Sequence, residues 1–260
     1  MNKTELLDRT ARDGEERMLL SRVLDKIELA RRGSPACTGF LSTAQQEAAE
    51  RLLAASGHPR HLFSGGYEDA ERKVCALLPD WQEPEDFEPP FSALRCRWNS
   101  GDKLTHRDFL GAVLGRGLER EKVGDILVGD GVCDLLVFRE LVPYLLNNLD
   151  GAGRARLKVE EIPLGELSAP EKTVKEIRDT VSSLRLDAVM ASGFSLSRGR
   201  AAEFIASGHT EVNHRPCLKA DRPVKEGDVI TCRGLGKCVL TQVGGVSKKG
   251  RTILTLERYL

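Results

Sequence analysis

Apolar side chains recur at helical spacing in the first part of the chain. One stripe predicts an amphipathic helix and holds Leu20, Val23, Leu24 and Ile27. Gly33-Ser34-Pro35 interrupts it. A second helix is predicted over residues 44–55, opened by Ser42-Thr43, with Gln46 or Glu47 near the capping-box position. Apart from a short strand at 62–63, residues 58–80 are irregular. The pattern predicts a mainly helical N-terminal region, residues 1–80.

Short strands and helices alternate after an acidic, proline-rich linker at residues 82–90. Thr105 is the predicted cap of the first helix, and Gly129-Asp130-Gly131 is typical of a hairpin turn. The second helix is predicted over residues 139–149, and the strands over residues 91–98, 124–128, 132–138 and 154–162. The order strand–helix–strand–strand–helix–strand predicts a ferredoxin-like (RRM-like) domain over residues 81–164.

The third strand of this domain lacks the stacking aromatic residues of an RNA-recognition motif. Its alternate positions are Cys133, Leu135 and Val137. We therefore expect any RNA contact of the middle domain to use backbone and loop groups.

The last hundred residues contain the pattern of a second mixed domain. A helix is predicted from about Pro170 to Asp179 in the polar connector, residues 163–182. Ser183 is the predicted cap of the next helix, which ends at Gly193, and Ser197 caps a third. Strands are expected at residues 229–233, 237–243 and 252–256, with turns at 244–245 and 248–250. We predict an α+β fold with a C-terminal domain over residues 165–260.

Charge is distributed unevenly along a chain whose formal net charge is zero. Residues 1–167 hold 23 Lys and Arg against 29 Asp and Glu, whereas residues 168–260 hold 16 against 10. The basic C-terminal part suggests a polyanionic partner. Arg198 and Arg200 also occupy a first helical turn, where the helix dipole favours acidic residues. Arginines are advantageous there if an anion is bound.

The cysteines and the N-terminus exclude several classes of protein. Seven scattered cysteines without C-x-x-C spacing indicate reduced thiols, so we expect no metal and no other cofactor. The charged N-terminus lacks the apolar stretch of a signal peptide, and the apolar runs are too short to span a membrane. We expect a cytoplasmic protein.

Two motifs resemble catalytic sequences. His106-Arg107-Asp108 resembles a kinase catalytic loop, but Val113 stands where that loop needs Asn. Residues 185–187 resemble the Arg-Leu-Asp of pseudouridine synthases, but too little chain follows for their catalytic sheet. We predict no enzymatic activity. The alternatives are an RNA-modifying enzyme that gathers His106, Asp108 and Asp125 in the middle domain, and a scaffold for cell-division proteins.

The C-terminal motifs resemble the RNA-binding domain named after small-subunit ribosomal protein four, here called the S-four domain. They are Arg-Leu-Asp at 185–187, Ser-Arg at 197–198, Val-Asn at 212–213 and Val-Lys-Glu-Gly-Asp at 224–228. The resemblance implies that the Ser-Arg helix start and the basic hairpin after it face structured RNA. The implied RNA-binding residues are Arg185, Ser197, Arg198, Arg200, Asn213, His214, Arg215 and Lys219, and the basic tip adds Lys248 and Lys249.

A longer resemblance extends over residues 60–260. The segments FSGGYEDAERKVCALLPD, LTHRDFLGAVLGRGLEREKVGDILV and TVSSLRLDAV are similar to the YlmH family of S-four proteins. It implies association with the large ribosomal subunit, rescue or quality control of stalled nascent-chain–tRNA complexes, and in some bacteria cell division. The implied partners are ribosomal RNA and, as a further candidate, tRNA, bound by a monomer without membrane contact. The family-motif positions are Gly65, Gly66, Tyr67, Arg72, Lys73, His106, Arg107, Arg120 and Lys122, and among them Arg72, Lys73, Arg107, Arg120 and Lys122 are candidate RNA contacts.

Overall fold

A computed structural model describes residues 2–99, 101–168 and 174–259. The chain divides into two compact units, Met1–Pro170 and Glu171–Leu260. The helices of the first unit are α1 (Lys3–Thr10), α2 (Gly14–Arg31), α3 (Thr43–Ala55), α4 (His106–Leu114) and α5 (Val142–Asn148). Its strands are β1 (Ala36–Leu41), β2 (His61–Ser64), β3 (Lys73–Leu77), β4 (Phe91–Arg97), β5 (Val123–Val128), β6 (Val132–Phe138), β7 (Gly151–Ala152), β8 (Ala155–Arg156) and β9 (Lys158–Ile162).

The N-terminal region packs three helices beside a small antiparallel sheet of order β1-β3-β2. The prediction of a mainly helical region over residues 1–80 missed β1 and β3. Alternating burial is weak in both segments, and their structure comes from pairing with each other across more than 30 residues. The second predicted helix is present. Ser42 caps it, and Gln45, one residue before the predicted position, completes the capping box.

The middle of the first unit has the predicted ferredoxin-like topology. Its four-stranded antiparallel sheet has the order β5-β6-β4-β9, as two interleaved strand–helix–strand units require. Helices α4 and α5 cover one face of this sheet through a core that includes Phe109, Val113 and Leu145. The cap of α4 is the predicted Thr105, whose backbone N–H and hydroxyl both donate to the Asp108 carboxylate.

The N-terminal region covers much of the opposite face of the ferredoxin-like sheet. Phe91 and Leu136 of the sheet pack against Phe40 and Val74. The ring centroids of Phe40 and Phe91 lie 5.0 Å apart. This is the face on which an RNA-recognition motif stacks bases. This face of the middle domain is therefore covered by the N-terminal region. The positions considered from the sequence pack instead into the core with α4 and α5: Cys133, Leu135 and Val137.

Asp125 anchors the loop between β2 and β3 to the ferredoxin-like domain. The residue is 9% exposed, and its carboxylate accepts hydrogen bonds from the Tyr67 hydroxyl (2.8 Å) and from the backbone N–H groups of Glu71 (2.7 Å) and Arg72 (3.0 Å). The Arg72 side chain donates to the carbonyls of Phe40 and Val123. Burial, and then the neighbouring Arg120, lower the pKa of Arg72 to about 10. These bonds join the two halves of the first unit.

A buried ion pair fixes the end of the first unit. The Arg95 guanidinium donates two 2.8 Å hydrogen bonds to the Asp134 carboxylate, which is fully buried. The same carboxylate accepts from the Ser168 N–H at 2.7 Å. The backbone at residue 168 is therefore held against the sheet.

The second unit is a six-stranded antiparallel sheet with two helices. The helices are α6 (Leu186–Gly193) and α7 (Arg198–Ala206), and the strands are β10 (Val174–Val181), β11 (Thr210–Val212), β12 (Arg215–Pro216), β13 (Val229–Cys232), β14 (Gly236–Val246) and β15 (Thr252–Tyr259). The sheet order is β10-β15-β14-β13-β11-β12. The helices share a core with the sheet that includes Leu186, Val189, Ile205, Leu240 and Leu256.

Three local predictions for the second unit are wrong. Residues 174–179 form an edge strand because they pair along their whole length with β15, and the predicted helix start at 170–173 lies outside the described residues. Ser183 caps no helix, since α6 begins at Leu186 and Arg185 occupies its N-cap position. Gly244-Gly245 lies inside β14, where the register with β15 shifts, and the turn follows at Ser247–Gly250.

All seven cysteines are free thiols, and every one except Cys37 is buried. Burial raises the pKa of Cys37 to about 11 and the pKa values of Cys75, Cys96 and Cys238 to about 12. Within the described ranges, the His, Cys, Asp and Glu side chains form no cluster of three that could bind a metal ion. Over the same ranges, every helix is too short or too polar to cross a membrane.

Candidate nucleic-acid interface

The start of α7 has the geometry of an anion-binding helix terminus. Ser197 is the N-cap, as predicted, and its hydroxyl accepts from the Arg200 backbone N–H at 3.2 Å. Arg198 and Arg200 occupy the first turn and are exposed. Free N–H groups of a first turn and guanidinium groups are both donors to phosphate oxygens.

A buried carboxylate joins this helix start to that of α6. Asp187, with 8% of its side chain exposed, accepts from Nε and Nη2 of Arg185 at 3.2 Å each and from Nη2 of Arg198 at 2.8 Å. The two arginine side chains are 44% and 52% exposed. Burial works to raise the pKa of Asp187, but the hydrogen bonds from the two arginines outweigh it and lower the pKa below its usual value. One ionised carboxylate therefore holds two guanidinium groups side by side at the surface.

Backbone hydrogen bonds to the segment before β13 hold the start of α6 in place. The backbone N–H groups of Leu186 and Asp187 donate to the carbonyls of Arg222 and Ala220. These bonds satisfy amides that the first turn of α6 would otherwise leave unpaired. The position of Asp187, and with it the arginine pair, is fixed by both its backbone and its side chain.

The predicted basic hairpin is a two-residue turn between β11 and β12. Asn213 and His214 both have positive φ, 51° and 58°, as a type I′ turn requires. The Asn213 side chain donates to Asp228 and accepts from the Val229 N–H, each at 2.9 Å. Asn213 therefore shapes the hairpin. Arg215 follows it on β12, Lys219 is exposed in the next loop, and Lys248 and Lys249 are exposed in the turn between β14 and β15.

The candidate RNA-binding residues of the first unit differ in how many contacts they already make within the protein. Arg72 donates to backbone carbonyls inside the unit, and Arg120 does the same to Val123 and Gly124. Lys122 forms an ion pair with Glu140 at 2.6 Å. Arg107 is exposed on the first turn of α4, and Lys73 is half-buried at the start of β3. The role of these five residues in RNA binding stays a prediction.

The groups named for a catalytic alternative have structural contacts. Asp108 is the capping partner of Thr105, and Asp125 has the three donors described above. The pKa of His106 is lowered by burial and by Arg120. Sequence reasoning missed the role of Asp187, although the Arg-Leu-Asp motif contained it, because the motif does not show that Arg198 joins the same carboxylate.

Together these features define a class of protein: one that joins a ferredoxin-like domain to an S-four-type domain with paired arginines at its helix starts. Residues 85–166 match the family described as "Putative RNA-binding domain in YlmH", and residues 184–230 match the S4 domain.

The chain is similar to the "Ribosome-associated protein quality control protein P2" of Bacillus subtilis (strain 168). The two are 38% identical over 199 residues, which cover 75% of this chain and 77% of the relative. Among solved structures, it is similar to the "Cell division protein ylmH from Streptococcus pneumoniae", with a TM-score of 0.51 and 25% identity over 61% of this chain and 96% of the other. The chain belongs to the YlmH family of S-four RNA-binding proteins, which confirms the family predicted from its motifs.

Proposed function

We propose that this protein binds structured ribosomal RNA on the large ribosomal subunit through its S-four domain. The observation that carries the proposal is the buried Asp187, which holds the half-exposed Arg185 and Arg198 together beside a capped helix start. Burying a carboxylate costs desolvation free energy. The Asp187 carboxylate orients two guanidinium groups that can donate to phosphate. The RNA-binding family matches support the class of ligand.

The cellular task that we propose is rescue or quality control of stalled nascent-chain–tRNA complexes. The name of the Bacillus subtilis relative supports ribosome association and a quality-control role. We further propose that the protein acts in the cytoplasm as a monomer, contacts tRNA held on the subunit and catalyses no reaction. In support of the last point, Asp108 and Asp125 serve as capping and anchoring groups.

The test is binding of the full-length protein to purified large ribosomal subunits at several salt concentrations. The variant R185A/R198A should bind more weakly, and the slope of log K against log salt should shrink by about 0.7–0.9 for each phosphate that is no longer neutralised. The matched control, R97A/R139A, removes the same charge from two exposed, ion-paired arginines of the first unit. Unchanged affinity and slope in R185A/R198A would refute the proposed interface.

A role in cell division is the second candidate, because the similar Streptococcus pneumoniae structure carries that title. The same variant separates the two. If R185A/R198A loses ribosome binding and cells carrying it divide normally but accumulate stalled complexes, the quality-control role holds. Normal handling of stalled complexes together with a division defect would favour the scaffold.

A further inference from the structure

A second cluster, separate from the arginine pair, lies at the surface on α7 and just after its end, with its ring Phe204 half-buried. Arg200, Phe204 and His209 form this cluster, which we call the α7 platform. The Arg200 guanidinium lies over the Phe204 ring at 5.0 Å from its centroid. The His209 ring meets the Phe204 ring nearly edge-on, with centroids 6.1 Å apart and planes at 79°. Three flat groups are therefore assembled at one place on the surface.

Two polar contacts fix the orientation of the α7 platform. Glu203 accepts from Nη1 of Arg200 at 2.7 Å. The Ser207 hydroxyl lies 2.6 Å from Nδ1 of His209. Because Nδ1 is engaged with the serine, Nε2 is the ring atom that can bond to a ligand. The platform is thus held in place before any ligand arrives, which reduces the entropy cost of binding.

The Arg200 side chain is 61% exposed although its guanidinium lies over a ring. The guanidinium carbon lies over the Phe204 ring, so the side of the group away from that ring is the side available to a ligand. A flat, polarisable group can stack there, and a nucleobase is the flat group that RNA supplies. Lysine could not replace this arginine, since an ammonium group has no plane.

The position of the α7 platform favours RNA over a protein partner. Arg198 and Arg200 lie two residues apart in the first turn of α7, so their side chains leave different sides of the helix start. An RNA segment that crosses the helix start can therefore contact the arginine pair with its phosphates and the α7 platform with a base. Glu203 also makes the platform unsuitable as a simple phosphate site, because its carboxylate would repel a phosphate. Phosphate contact at the arginine pair and base stacking at the platform are complementary tasks.

We propose that the α7 platform binds one unpaired nucleobase of the RNA, stacked on the outer face of the Arg200 guanidinium. This inference rests on the proposed function and deepens it. It makes the S-four domain a reader of a bulge or loop beside a helix, whereas the arginine pair alone would hold any phosphate backbone.

The test uses two RNA hairpins with the same number of phosphates. One carries a single bulged 2-aminopurine, and the other carries an abasic residue at the same place. Full-length wild-type protein should bind the first about 10-fold tighter and should quench the 2-aminopurine fluorescence. The variant R200K keeps the charge but not the plane, so it should bind both RNAs equally, with an unchanged salt slope and no quenching.

Two controls make the outcome decisive. R178K alters another exposed, ion-paired arginine, on β10, and should keep the preference for the base. F204L removes the ring beneath the guanidinium and should act like R200K; its melting temperature shows whether the fold is intact. Equal wild-type affinity for the two hairpins, or an undiminished preference in R200K, would overturn the proposal. Failure of the proposed function would give a different result: R185A/R198A would bind both hairpins as tightly as the wild type does.

Discussion

Asp187 shows how a single residue can organise a binding surface that it does not itself form. Arginine side chains are flexible, and holding one in place for a ligand costs conformational entropy. Asp187 meets that cost during folding, because it already bonds both Arg185 and Arg198. The resemblance of residues 185–187 to a catalytic Arg-Leu-Asp therefore has a structural explanation: the carboxylate orients cations.

We predict that Asp187→Asn weakens RNA binding and the fold by similar free energies. The neutral amide keeps the shape but loses the ionic attraction to both guanidinium groups. Affinity for large subunits should fall about 5–10-fold, while the free energy of unfolding falls by about 1–2 kcal/mol, since both partners are half-exposed. Subunit binding and denaturant unfolding measure the two effects. An affinity equal to that of the wild type would show that the arginines need no orienting group.

The pH dependence of stability should also show the contribution of the ionised Asp187 carboxylate. The pKa of Asp187 is lower in the folded protein than in the unfolded chain. Its contribution is therefore fully present above the unfolded value near pH 4 and is lost as the pH falls through the folded value. The stability difference between wild type and Asp187→Asn should narrow below about pH 4 in acid titrations. A constant difference down to about pH 2 would mean that folding does not lower the pKa of Asp187.

Among the connecting elements, the loop from Gly65 to Arg72 determines how the first unit is built. A Cβ atom on Gly65 would lie 2.3 Å from Cβ of Ala70 and 2.6 Å from the Arg72 carbonyl oxygen. Gly66 has φ of +89° and lies against Leu136 and Phe91 of the ferredoxin-like sheet. Only glycines allow the chain to turn this closely onto the sheet, which explains their place in the family motif.

We predict that Gly65→Ala destabilises the protein by about 2–4 kcal/mol, because backbone as well as a side chain would have to move. Gly111→Ala is the matched control. It lies within α4 with open space around its Cα, so the added methyl group should stabilise by about 0.5–1 kcal/mol. Thermal unfolding of both variants decides the point, and equal melting temperatures would contradict the proposed role of the loop.

Local sequence patterns were sufficient to predict those elements whose start and end are marked by capping or turn residues. Thr105, Ser197 and Gly129-Asp130-Gly131 gave correct positions for α4, α7 and the β5–β6 hairpin. They were insufficient for β1, β3 and β10, whose structure depends on partners far along the chain. The same limit applied to the site. Arg185 and Ser197 were predicted from the S-four motif, but the bond from Arg198 to Asp187 depends on tertiary packing.

At the scale of the whole molecule, each unit has a hydrophobic core of its own. The core of the second unit contains buried side chains from both helices and from strands β11, β13, β14 and β15, including Val212, Ile230, Leu240 and Leu254. The first unit is acidic and the second basic. If the protein binds ribosomal RNA as proposed, its acidic unit needs a favourable contact to offset its repulsion from that RNA.

We predict that full-length protein binds large subunits at least ~10-fold tighter than residues 168–260 alone, or about 1.4 kcal/mol. Two tethered sites gain avidity when both engage at once. Reversing the charges of Arg107, Arg120 and Lys122 should remove most of this gain. The fragment should fold by circular dichroism and keep its affinity for free RNA. Equal affinities of fragment and full-length protein would assign the first unit a different task.

The buried thiols equip the molecule with reporters of its own motions. Cys75, Cys96 and Cys133 lie in the first unit, and Cys217, Cys232 and Cys238 in the second. A thiol reacts as the thiolate, which burial suppresses at most of these positions, so alkylation must wait for local opening of the chain. Mass spectrometry after timed alkylation can therefore follow the opening of each unit separately, in the free protein and on the ribosome, without any engineered cysteine. The unit that binds the ribosome will be the one whose cysteines are alkylated more slowly when the large subunit is added.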